Sequence, residues 1–541
     1  MKNKEKCLED IVGSRMEIKK SEIENQKIVM SIIREELQTR TEQPLAYVDT
    51  YGCQQNEADS EKLRGMLIEM GYELTGDEYK ADVIIINTCA IRENAENRVL
   101  GNVGALIHTK KAKPTQLIAF CGCLAGVPET VEKIRQSYRH VDLVFTPDKI
   151  WRFPELLYCI LYRGLRETGS EAAPHGTHDM AAHALDLRTV PAKKRVFDTD
   201  SEYESIAEGI PSHRDSKVKA WLPIMYGCNN YCSYCIVPYV RGRERSRSPE
   251  AILDEARALV ADGYKDITLL GQNVNSYDCG ATPGVQKLYP RPVGPHQKPF
   301  ASESHNAEKG KTDFATLIRM INDIDGEFLI RFMTSHPKDA SAELFLAMAE
   351  SEKAARHIHL PFQSGSDRIL KLMNRGYTQE EYLKKVAAAR EAMPDIVITS
   401  DVIVGFPGET DEEFEQTLHL VETAQFDAMF TFIFSIRPGT PAAKLPDITT
   451  REEKQIRFDR LIELQNAISV EKHMRYVGQT VRVLVDGEAQ DEKYPLKART
   501  NGGRLVHLQG DPNLLCRFID AKITHCNSWA LFGVCDYEKA R

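Results

Sequence analysis

Six apolar segments alternate with helical segments between residues 221 and 433, and this alternation constrains the fold more than any other feature of the chain. The predicted strands are 221–225, 266–270, 328–332, 357–360, 396–400 and 429–433. Strands that alternate with helices form parallel sheets whose faces the helices cover. Because a complete barrel of this type has eight units, six units predict a partial (β/α)6 barrel that stays open.

A shorter series of the same kind comes earlier in the chain. Its predicted strands are 46–51, 83–86 and 117–120. Helical patterns begin at Ala58 and Glu93, between these strands. The series therefore predicts a small parallel α/β domain over residues 44–164, and the chain belongs to the α/β class.

Three segments lack a clear strand or helix period. Residues 1–43 carry mixed charge in a weakly amphipathic pattern, so we expect a peripheral helix or a frayed N-terminal extension. Scattered Pro, Gly, His and charged residues predict a linker at 165–213. A similar composition at 278–311, inside the barrel core of 214–473, predicts a disordered insertion.

The C-terminal part of the chain changes to strands without helices. A long helix is predicted at 451–473, and β-like segments follow at 480–485, 504–508 and 518–523. Short strands of this kind predict a small all-β barrel over residues 474–538. Small β barrels often bind nucleic acids through one face and its loops.

Three cysteines lie in the loop that follows the first barrel strand: Cys228, Cys232 and Cys235. A structural zinc site has four protein ligands, whereas a site that binds a substrate keeps one coordination position open. A 4Fe-4S cluster on three thiolates leaves one iron open in this way. The spacing alone leaves three interpretations: such a cluster, a zinc ion with a distant fourth ligand, and an unligated buried trio.

A second set of cysteines follows the strands of the N-terminal domain. Cys53, Cys89 and Cys123 each come after a different predicted strand, and Cys121 competes with Cys123 for the third position. Because parallel strands end at one edge of their sheet, we expect a second three-ligand metal site there. Six other cysteines are predicted not to be ligands: Cys7, Cys159, Cys279, Cys516, Cys526 and Cys535.

Glycines and arginines also lie near the strand ends of the barrel. Gly271 and Gly405 each follow a predicted strand, where glycine lets a ligand approach the backbone, although such turns are also ordinary connections. The run from Arg241 to Arg247 contains four arginines just after the cysteine loop. It predicts either a solvated charged loop or contacts to a phosphate or carboxylate of the substrate.

Composition indicates the compartment and the kind of partner. No apolar run reaches transmembrane length and the N-terminus lacks a signal-peptide pattern, so we expect a cytoplasmic protein. In that compartment the 13 cysteines are expected to be ligands and free thiols rather than disulfides. Since the net charge is −9, a nucleic-acid partner requires a local basic surface.

The cysteine motif, with Tyr234 just before its last cysteine, resembles the signature of radical S-adenosylmethionine (SAM) enzymes. Longer runs beginning at Thr50, Asn87 and Ile224 resemble the radical SAM methylthiotransferases, in particular the branch that acts on isopentenyladenosine in tRNA. The resemblance extends from about residue 44 to 538, outside the linker and the insertion. It implies a radical SAM barrel and, at the C-terminus, a TRAM barrel that binds tRNA.

The resemblance also implies roles for single residues. Cys228, Cys232 and Cys235 hold one 4Fe-4S cluster, and its open iron binds SAM; Cys53, Cys89 and Cys123 hold a second 4Fe-4S cluster. Tyr234 lies beside the adenine of SAM. Gly271, Gln272 and Asn273 occupy the glycine-rich segment that binds the methionine part of SAM, and Gly405 completes the expected cofactor-binding set. No catalytic residue is expected beyond the cluster ligands.

The implied reaction adds a methylthio group to C2 of N6-isopentenyladenosine next to the anticodon of tRNA. An unactivated C–H bond resists acid–base chemistry, so a radical from SAM is the expected route. The implied partners are tRNA and a reductant such as flavodoxin or ferredoxin, and we expect a monomer. Two alternatives remain: a sister enzyme acting on threonylcarbamoyladenosine tRNA or a ribosomal-protein aspartate, and a non-catalytic iron–sulfur RNA-binding protein.

Overall fold

A computed structural model describes residues 18–90, 93–161, 195–200, 206–281 and 311–535 of the protein. The chain divides into two compact units. The first contains the residues up to Asp215 together with Tyr226–Asn229 and Cys235–Arg245. The second contains Ser216–Met225, Asn230–Tyr234 and the residues from Ser246 onward.

The first unit is built on a six-stranded parallel sheet with the order β2-β1-β3-β4-β5-β6. The strands are β1 Leu45–Thr50, β2 Glu73–Leu74, β3 Val83–Thr88, β4 Leu117–Gly122, β5 Leu143–Phe145 and β6 Val196–Asp198. Its helices are Lys20–Leu37, Gln54–Glu69, Glu93–Ala112, Pro128–Ser137, Phe153–Leu161 and the single turn Val237–Val240. Strands β3 and β4 are buried at every position because helices cover both faces of the sheet.

The structure contradicts part of the predicted linker at 165–213. Residues Val196–Asp198 form β6, which pairs in parallel with β5 at the edge of the sheet. A strand of three residues is too short to show a period in the sequence. Residues 165–194 and 201–205 of that predicted linker lie outside the described residues.

The N-terminal segment contains a helix, Lys20–Leu37, rather than a frayed chain at those positions. Its Val29, Ile33 and Leu37 side chains are buried in the same apolar core as Leu63 and Phe153. The helix therefore contributes to the core of the first unit, while residues 1–17 lie outside the described residues.

The second unit contains the predicted partial barrel. The strands of this middle region are β7 Lys219–Pro223, β8 Met225–Tyr226, β9 Arg245–Ser246, β10 Asp266–Leu270, β11 Asp278–Ala281, β12 Lys311–Asp313, β13 Leu329–Phe332, β14 His357–His359, β15 Val397–Val404 and β16 Ala428–Ile433. Two parallel sheets, β13-β10-β7 and β14-β15-β16, supply the six barrel strands. Ile330 of β13 also forms an isolated parallel bridge with Ala354, which lies shortly before β14 in the chain. The α/β class and the parallel arrangement are confirmed.

Helices follow the barrel strands and begin at side chains that cap them. They span Pro249–Ala261, Phe314–Asn322, Ala342–Glu350, Asp367–Leu372, Gln379–Ala392, Asp411–Ala424 and Arg451–Met474. Thr378, Thr410 and Thr450 each form a capping box with a glutamate three residues later. None of the helices in the described ranges is long and apolar enough to cross a membrane.

The predicted insertion begins and ends in paired strands. Strands β11 and β12 form an antiparallel ribbon, so both ends of the segment 278–311 are ordered by backbone hydrogen bonds. The prediction of a disordered loop is therefore wrong for Asp278–Ala281 and for Lys311, because Ala281 pairs with Lys311 and the preceding residues of β11 pair with the rest of β12. Residues 282–310 lie outside the described residues.

A closed five-stranded barrel forms the C-terminal part of the second unit, with the order β17-β18-β19-β21-β20. Its strands are β17 Thr480–Glu488, β18 Leu496–Thr500, β19 Leu505–Gln509, β20 Phe518–Cys526 and β21 Leu531–Cys535. The predicted all-β barrel is confirmed. The sequence did not reveal β18, which alternates lysine and arginine with Leu and Ala, or β21, which contains Gly533.

Candidate functional site

The structure brings Cys53, Cys89 and Cys123 to one edge of the sheet of the first unit. These cysteines follow β1, β3 and β4, which are neighbours in the sheet. The register pairs Thr50 with Asn87 and Thr88 with Gly122, so the three strands end level with each other. The carboxyl edge of a parallel sheet is where ligands bind in folds of this class.

Gly52 allows the backbone to pass close to Cys89. Its φ is +115°, and an added Cβ would lie 2.2 Å from Cys89 Cβ and 2.7 Å from Cys89 Sγ. Both the left-handed conformation and the close approach require glycine at this position. Glycine is therefore required just before Cys53 so that the chain can pack against Cys89. We call the sheet edge that carries Cys53, Cys89 and Cys123 the cysteine edge.

A buried arginine contacts this cysteine edge. Arg241 Nε donates a hydrogen bond to Cys123 Sγ at 3.2 Å. Arg241 Nη2 donates to Asn56 Oδ1 at 2.7 Å and to Asp59 Oδ2 at 2.8 Å. Arg241 was part of the arginine run in the sequence, and the structure favours a buried contact over a solvated loop for this member of the run.

Asn56 contacts the strand ends, two of the cysteines and Arg241. Its Nδ2 donates to the backbone oxygens of Tyr51 and Thr88, each at 2.8 Å, and so ties the ends of β1 and β3 together. Its Oδ1 lies 3.8 Å from Cys53 Sγ and 4.0 Å from Cys123 Sγ. One amide therefore orients the cysteine edge and also accepts the arginine.

The two cysteine thiols next to Arg241 differ in their ease of ionisation. A hydrogen bond with the Cys89 side chain lowers the pKa of Cys53 to about 6, and the positive charge of Arg241 acts in the same direction, while burial opposes both. Burial raises the pKa of Cys123, although Arg241 offsets part of that effect. The ligating form of a cysteine is the thiolate, so the environment of Cys53 favours a ligand.

Cys121 occupies a different environment from Cys123. It is fully buried in the apolar core beside Phe145 and Phe153, whereas Cys123 packs with Leu124 and Ala125 in a separate core. Burial raises the pKa of Cys121 well above its usual value. Its surroundings are those of an ordinary core cysteine.

Of the predicted non-ligands, Cys7 lies outside the described residues.

The loop with Cys228 requires glycine at its start. Gly227 has a φ of +80°, and an added Cβ would lie 2.0 Å from the backbone oxygen of Arg243. The Cys228 amide donates to the Gly242 oxygen at 3.1 Å. Cys228 and Cys235, both in the first unit, are half-buried.

Cys232 belongs to the second unit and contacts a buried arginine that the sequence did not reveal. Arg375 Nη1 lies 3.4 Å from Cys232 Sγ and 3.5 Å from the Tyr234 hydroxyl. Arg375 also donates to the Pro361 oxygen at 2.7 Å and to the Tyr377 hydroxyl at 3.0 Å. A single arginine, 143 residues away in the chain, leaves no signal in a local pattern.

Tyr234 and the segment of Gly405 come together in the second unit. Tyr234 packs against an apolar cluster that contains Phe406 and Phe434. Gly405 has a φ of +71°, and its amide donates to Glu409 Oε2 at 2.7 Å. An added Cβ at Gly405 would lie 2.4 Å from Lys454 Cγ. Tyr234 and Gly405 therefore lie next to the same apolar cluster, because Phe406 directly follows Gly405.

The segment of Gly271, Gln272 and Asn273 follows β10 at the same end of the sheet as the end of β7. An added Cβ at Gly271 would lie 2.5 Å from Met225 Cγ. Asn273 is buried; its Nδ2 donates to Asp339 Oδ2 at 2.8 Å and its Oδ1 accepts the His336 amide at 3.1 Å. The Asn273 side chain thus holds two strand-end loops together, and Gln272 is half-buried.

The donor sets suit iron–sulfur chemistry. Within the described ranges, no three or more His, Cys, Asp or Glu side chains are grouped as the ligands of a metal ion. Each trio nevertheless supplies three thiols, and one sulfur of each trio has an arginine as a hydrogen-bond donor. Thiolates are the ligands that iron–sulfur clusters select, and donors to sulfur tune such clusters.

A solvent-open pocket in the first unit is lined partly by Arg241. Asp59, Arg241, Lys62, Tyr226 and Trp151 are among its lining residues. Lys62 Nζ donates to the Tyr226 hydroxyl at 3.0 Å. The pocket therefore combines basic, acidic and aromatic side chains next to Arg241.

Three family models match consecutive parts of the chain. The Uncharacterized protein family UPF0004 matches residues 45–146, the Radical SAM superfamily matches residues 222–421, and the TRAM domain matches residues 474–535. These are the small parallel domain, the partial barrel and the closed C-terminal barrel described above.

Curated relatives match most of the chain. The tRNA-2-methylthio-N(6)-dimethylallyladenosine synthase of Acetivibrio thermocellus is 45% identical over 90% of both chains. The enzyme of the same name from Alkaliphilus oremlandii is 43% identical over 90% of this chain and 91% of the relative. That of Thermoanaerobacter sp. (strain X514) is 42% identical over 95% of this chain and 97% of the relative. Identity at this level along nearly the whole length, with three matching domains in order, makes the chain a member of the tRNA-2-methylthio-N(6)-dimethylallyladenosine synthase family.

Proposed function

We propose that this protein is a radical SAM methylthiotransferase that adds a methylthio group to C2 of N6-isopentenyladenosine, next to the anticodon in tRNA. The observation that carries the proposal is the identity of 42–45% with synthases of that name over at least 90% of the chain. The radical SAM and TRAM matches support the chemistry and the RNA substrate respectively.

The proposal assigns two 4Fe-4S clusters and SAM to the chain. Cys228, Cys232 and Cys235 hold the cluster that binds SAM, and the upstream trio, defined as Cys53, Cys89 and Cys123, holds the other. When bound, these groups supply the radical that activates the C2–H bond and the methylated sulfur that replaces the hydrogen. Support comes from the shared sheet edge of the upstream trio and from the hydrogen bond that Arg241 donates to the Cys123 sulfur.

The protein's own residues bind and orient. Arg375 holds the Cys232 sulfur and the Tyr234 hydroxyl, both near 3.5 Å, so it fixes a cluster ligand and the side chain proposed to lie beside the adenine. Gly405 and Gly271 keep the backbone clear at two strand ends, where any side chain would collide with Lys454 or Met225. Gln272 and Asn273 complete the SAM-binding segment, with Asn273 acting through the loops that it holds together.

The RNA substrate requires a binding surface, and the TRAM match covers residues 474–535. The closed C-terminal barrel is proposed to bind the anticodon stem-loop, from which the adenosine leaves its stack at a cost of a few kcal/mol. A one-electron donor such as flavodoxin or ferredoxin is proposed because reductive cleavage of SAM consumes an electron. A monomeric state and a cytoplasmic location complete the proposal.

Mass spectrometry of tRNA nucleosides tests the substrate. A deletion strain should lose 2-methylthio-N6-isopentenyladenosine and accumulate the isopentenyl precursor, and the gene should restore it. Loss of the threonylcarbamoyl derivative instead would assign the chain to the sister activity. If both nucleosides persist, the proposed substrate is wrong.

Anaerobic reconstitution of Cys232→Ala tests the division of labour between the cysteine trios. The variant should lose SAM cleavage while it keeps the iron of the upstream trio. Undiminished formation of 5′-deoxyadenosine would contradict the assignment of Cys232. A wild-type protein that binds iron but never cleaves SAM would favour a non-catalytic iron–sulfur protein.

A further inference from the structure

Arg241 is buried against the upstream trio, and its Nε and Nη2 both donate hydrogen bonds. Only 5% of its surface is exposed, and a buried charge is costly unless it is paired and hydrogen-bonded. Its Nη2 meets the carboxylate of Asp59 at 2.8 Å, and its Nε meets the sulfur of Cys123 at 3.2 Å. The planar fork of arginine suits two such acceptors at once, whereas lysine presents a point charge.

The backbone just before Arg241 is held in place by the packing of two apolar side chains in the core. Ile236 lies just before the short helix Val237–Val240, and Val240 is its last residue. Both are buried in the same core as Cys123 and Leu124. Arg241 follows that helix directly. This packing fixes the position of the Arg241 backbone relative to the Cys123 sulfur.

We infer that Arg241 is a positioning residue that fixes Cys123 and raises the reduction potential of the cluster on the upstream trio. The inference rests on the proposed function, which puts a cluster there. A hydrogen bond and a positive charge at a ligand sulfur stabilise the reduced, more negative state of a cluster. Asp59 offsets part of the positive charge, so Arg241 and Asp59 act on the potential in opposite directions.

The experiment isolates the upstream cluster by replacing Cys228, Cys232 and Cys235 with alanine in the full-length chain. In this background, Arg241→Gln, Arg241→Lys and Asp59→Asn are reconstituted anaerobically. Iron and sulfide are counted, and the midpoint potential is measured by titration monitored by electron paramagnetic resonance. Arg243→Gln serves as the matched control, because Arg243 lies two residues further on and is exposed.

The expected results differ in sign. Arg241→Gln shifts the midpoint potential to a more negative value, and Arg241→Lys shifts it less because the charge remains while the fork is lost. Asp59→Asn shifts the potential to a more positive value, since the arginine then lacks its carboxylate. Arg243→Gln leaves the potential at the parent value. General disruption of the site would move the Arg241 and Asp59 variants in the same direction.

Each other outcome overturns the inference. An unchanged potential in Arg241→Gln at full iron content does so, as do shifts of one sign in the Arg241 and Asp59 variants. If Arg241→Gln fails to hold iron, Arg241→Lys and Asp59→Asn decide by the same opposition of sign. A parent protein without iron and sulfide would refute the upstream cluster itself, which separates failure of the proposed function from failure of the role of Arg241.

Discussion

Arg331 Nε donates to Asp266 Oδ2 at 2.8 Å across the neighbouring strands β13 and β10 of the partial barrel. The other nitrogens of Arg331 donate to the Asn501 oxygen at 2.8 Å and the Thr500 oxygen at 3.1 Å. These two acceptors lie at the end of β18 and in the turn that follows it. One arginine therefore closes a buried ion pair in the barrel and binds the C-terminal barrel to it.

Arg331→Ala should destabilise the second unit by about 3–5 kcal/mol, because it leaves Asp266 buried and without its charge partner. Asp266 is only 2% exposed. The unfolding midpoint in urea measures the loss, and hydrogen exchange at β18 shows whether the C-terminal barrel loosens first. Arg482→Ala is the control, because its pair with Glu327 is exposed and such pairs contribute about 1 kcal/mol or less. Equal losses in the two variants would contradict the role of Arg331.

Gly52→Ala should remove the iron of the upstream trio while SAM cleavage persists. The new methyl group would overlap Cys89 Cβ, and the φ of +115° disfavours any side chain. Iron content and 5′-deoxyadenosine formation are measured on the same reconstituted sample. Gly209→Ala is the control for backbone strain alone, since Gly209 also has a positive φ but no atom lies within 4 Å of an added Cβ. Full iron in Gly52→Ala would refute the prediction.

Glu409→Gln should gain stability relative to the wild type as the pH rises from 5.5 to 8.5. Burial raises the pKa of Glu409 from its ordinary 4.5 to about 7, although the Gly405 amide and Arg457 act against it. The folded chain then holds a proton that the unfolded chain has released, so this group costs stability as the pH rises through 7. Glutamine cannot ionise and still accepts the Gly405 amide. Melting temperatures of both proteins across this range provide the check, and parallel curves would contradict it.

Trp529→Ala should weaken binding of an anticodon stem-loop by about 1–3 kcal/mol, which is the usual contribution of one stacked base. Trp529 is 79% exposed, and Asn527 Oδ1 accepts the Trp529 and Ala530 amides, so a rigid turn presents the indole to solvent. Fluorescence anisotropy with labelled RNA measures the affinity. Ile448→Ala, which removes an equally exposed apolar side chain outside the barrel, should bind as the wild type does. Identical affinities for all three proteins would exclude stacking on Trp529.

The sequence predicted the elements whose period is strong. Strands β3 and β4 each begin with an unbroken run of four apolar residues because parallel strands are buried on both faces. Strand β6 has three residues and β18 carries charges at alternate positions, so neither gives a distinct apolar pattern. Cysteine positions relative to strand ends predicted that Cys53, Cys89 and Cys123 would share one edge, because topology alone determines that placement.

The contacts around the cysteines could not be predicted in the same way. Arg241 stood in a charged run that is usually solvated, and only the burial of Ile236 and Val240 turns it towards Cys123. Arg375 reaches Cys232 across the fold from a distant segment of the chain. Such pairings depend on tertiary packing, which a local pattern does not record.

The first unit takes Ile236 and Val240 from a stretch of sequence that lies within the radical SAM match. A fragment cut at residue 164 would therefore lack part of its own hydrophobic core as well as the arginine at its cysteine edge. Gene fragments that follow the sequence boundaries should yield an insoluble N-terminal piece. Exchange of this domain between relatives should therefore succeed only if residues 235–245 are exchanged with it.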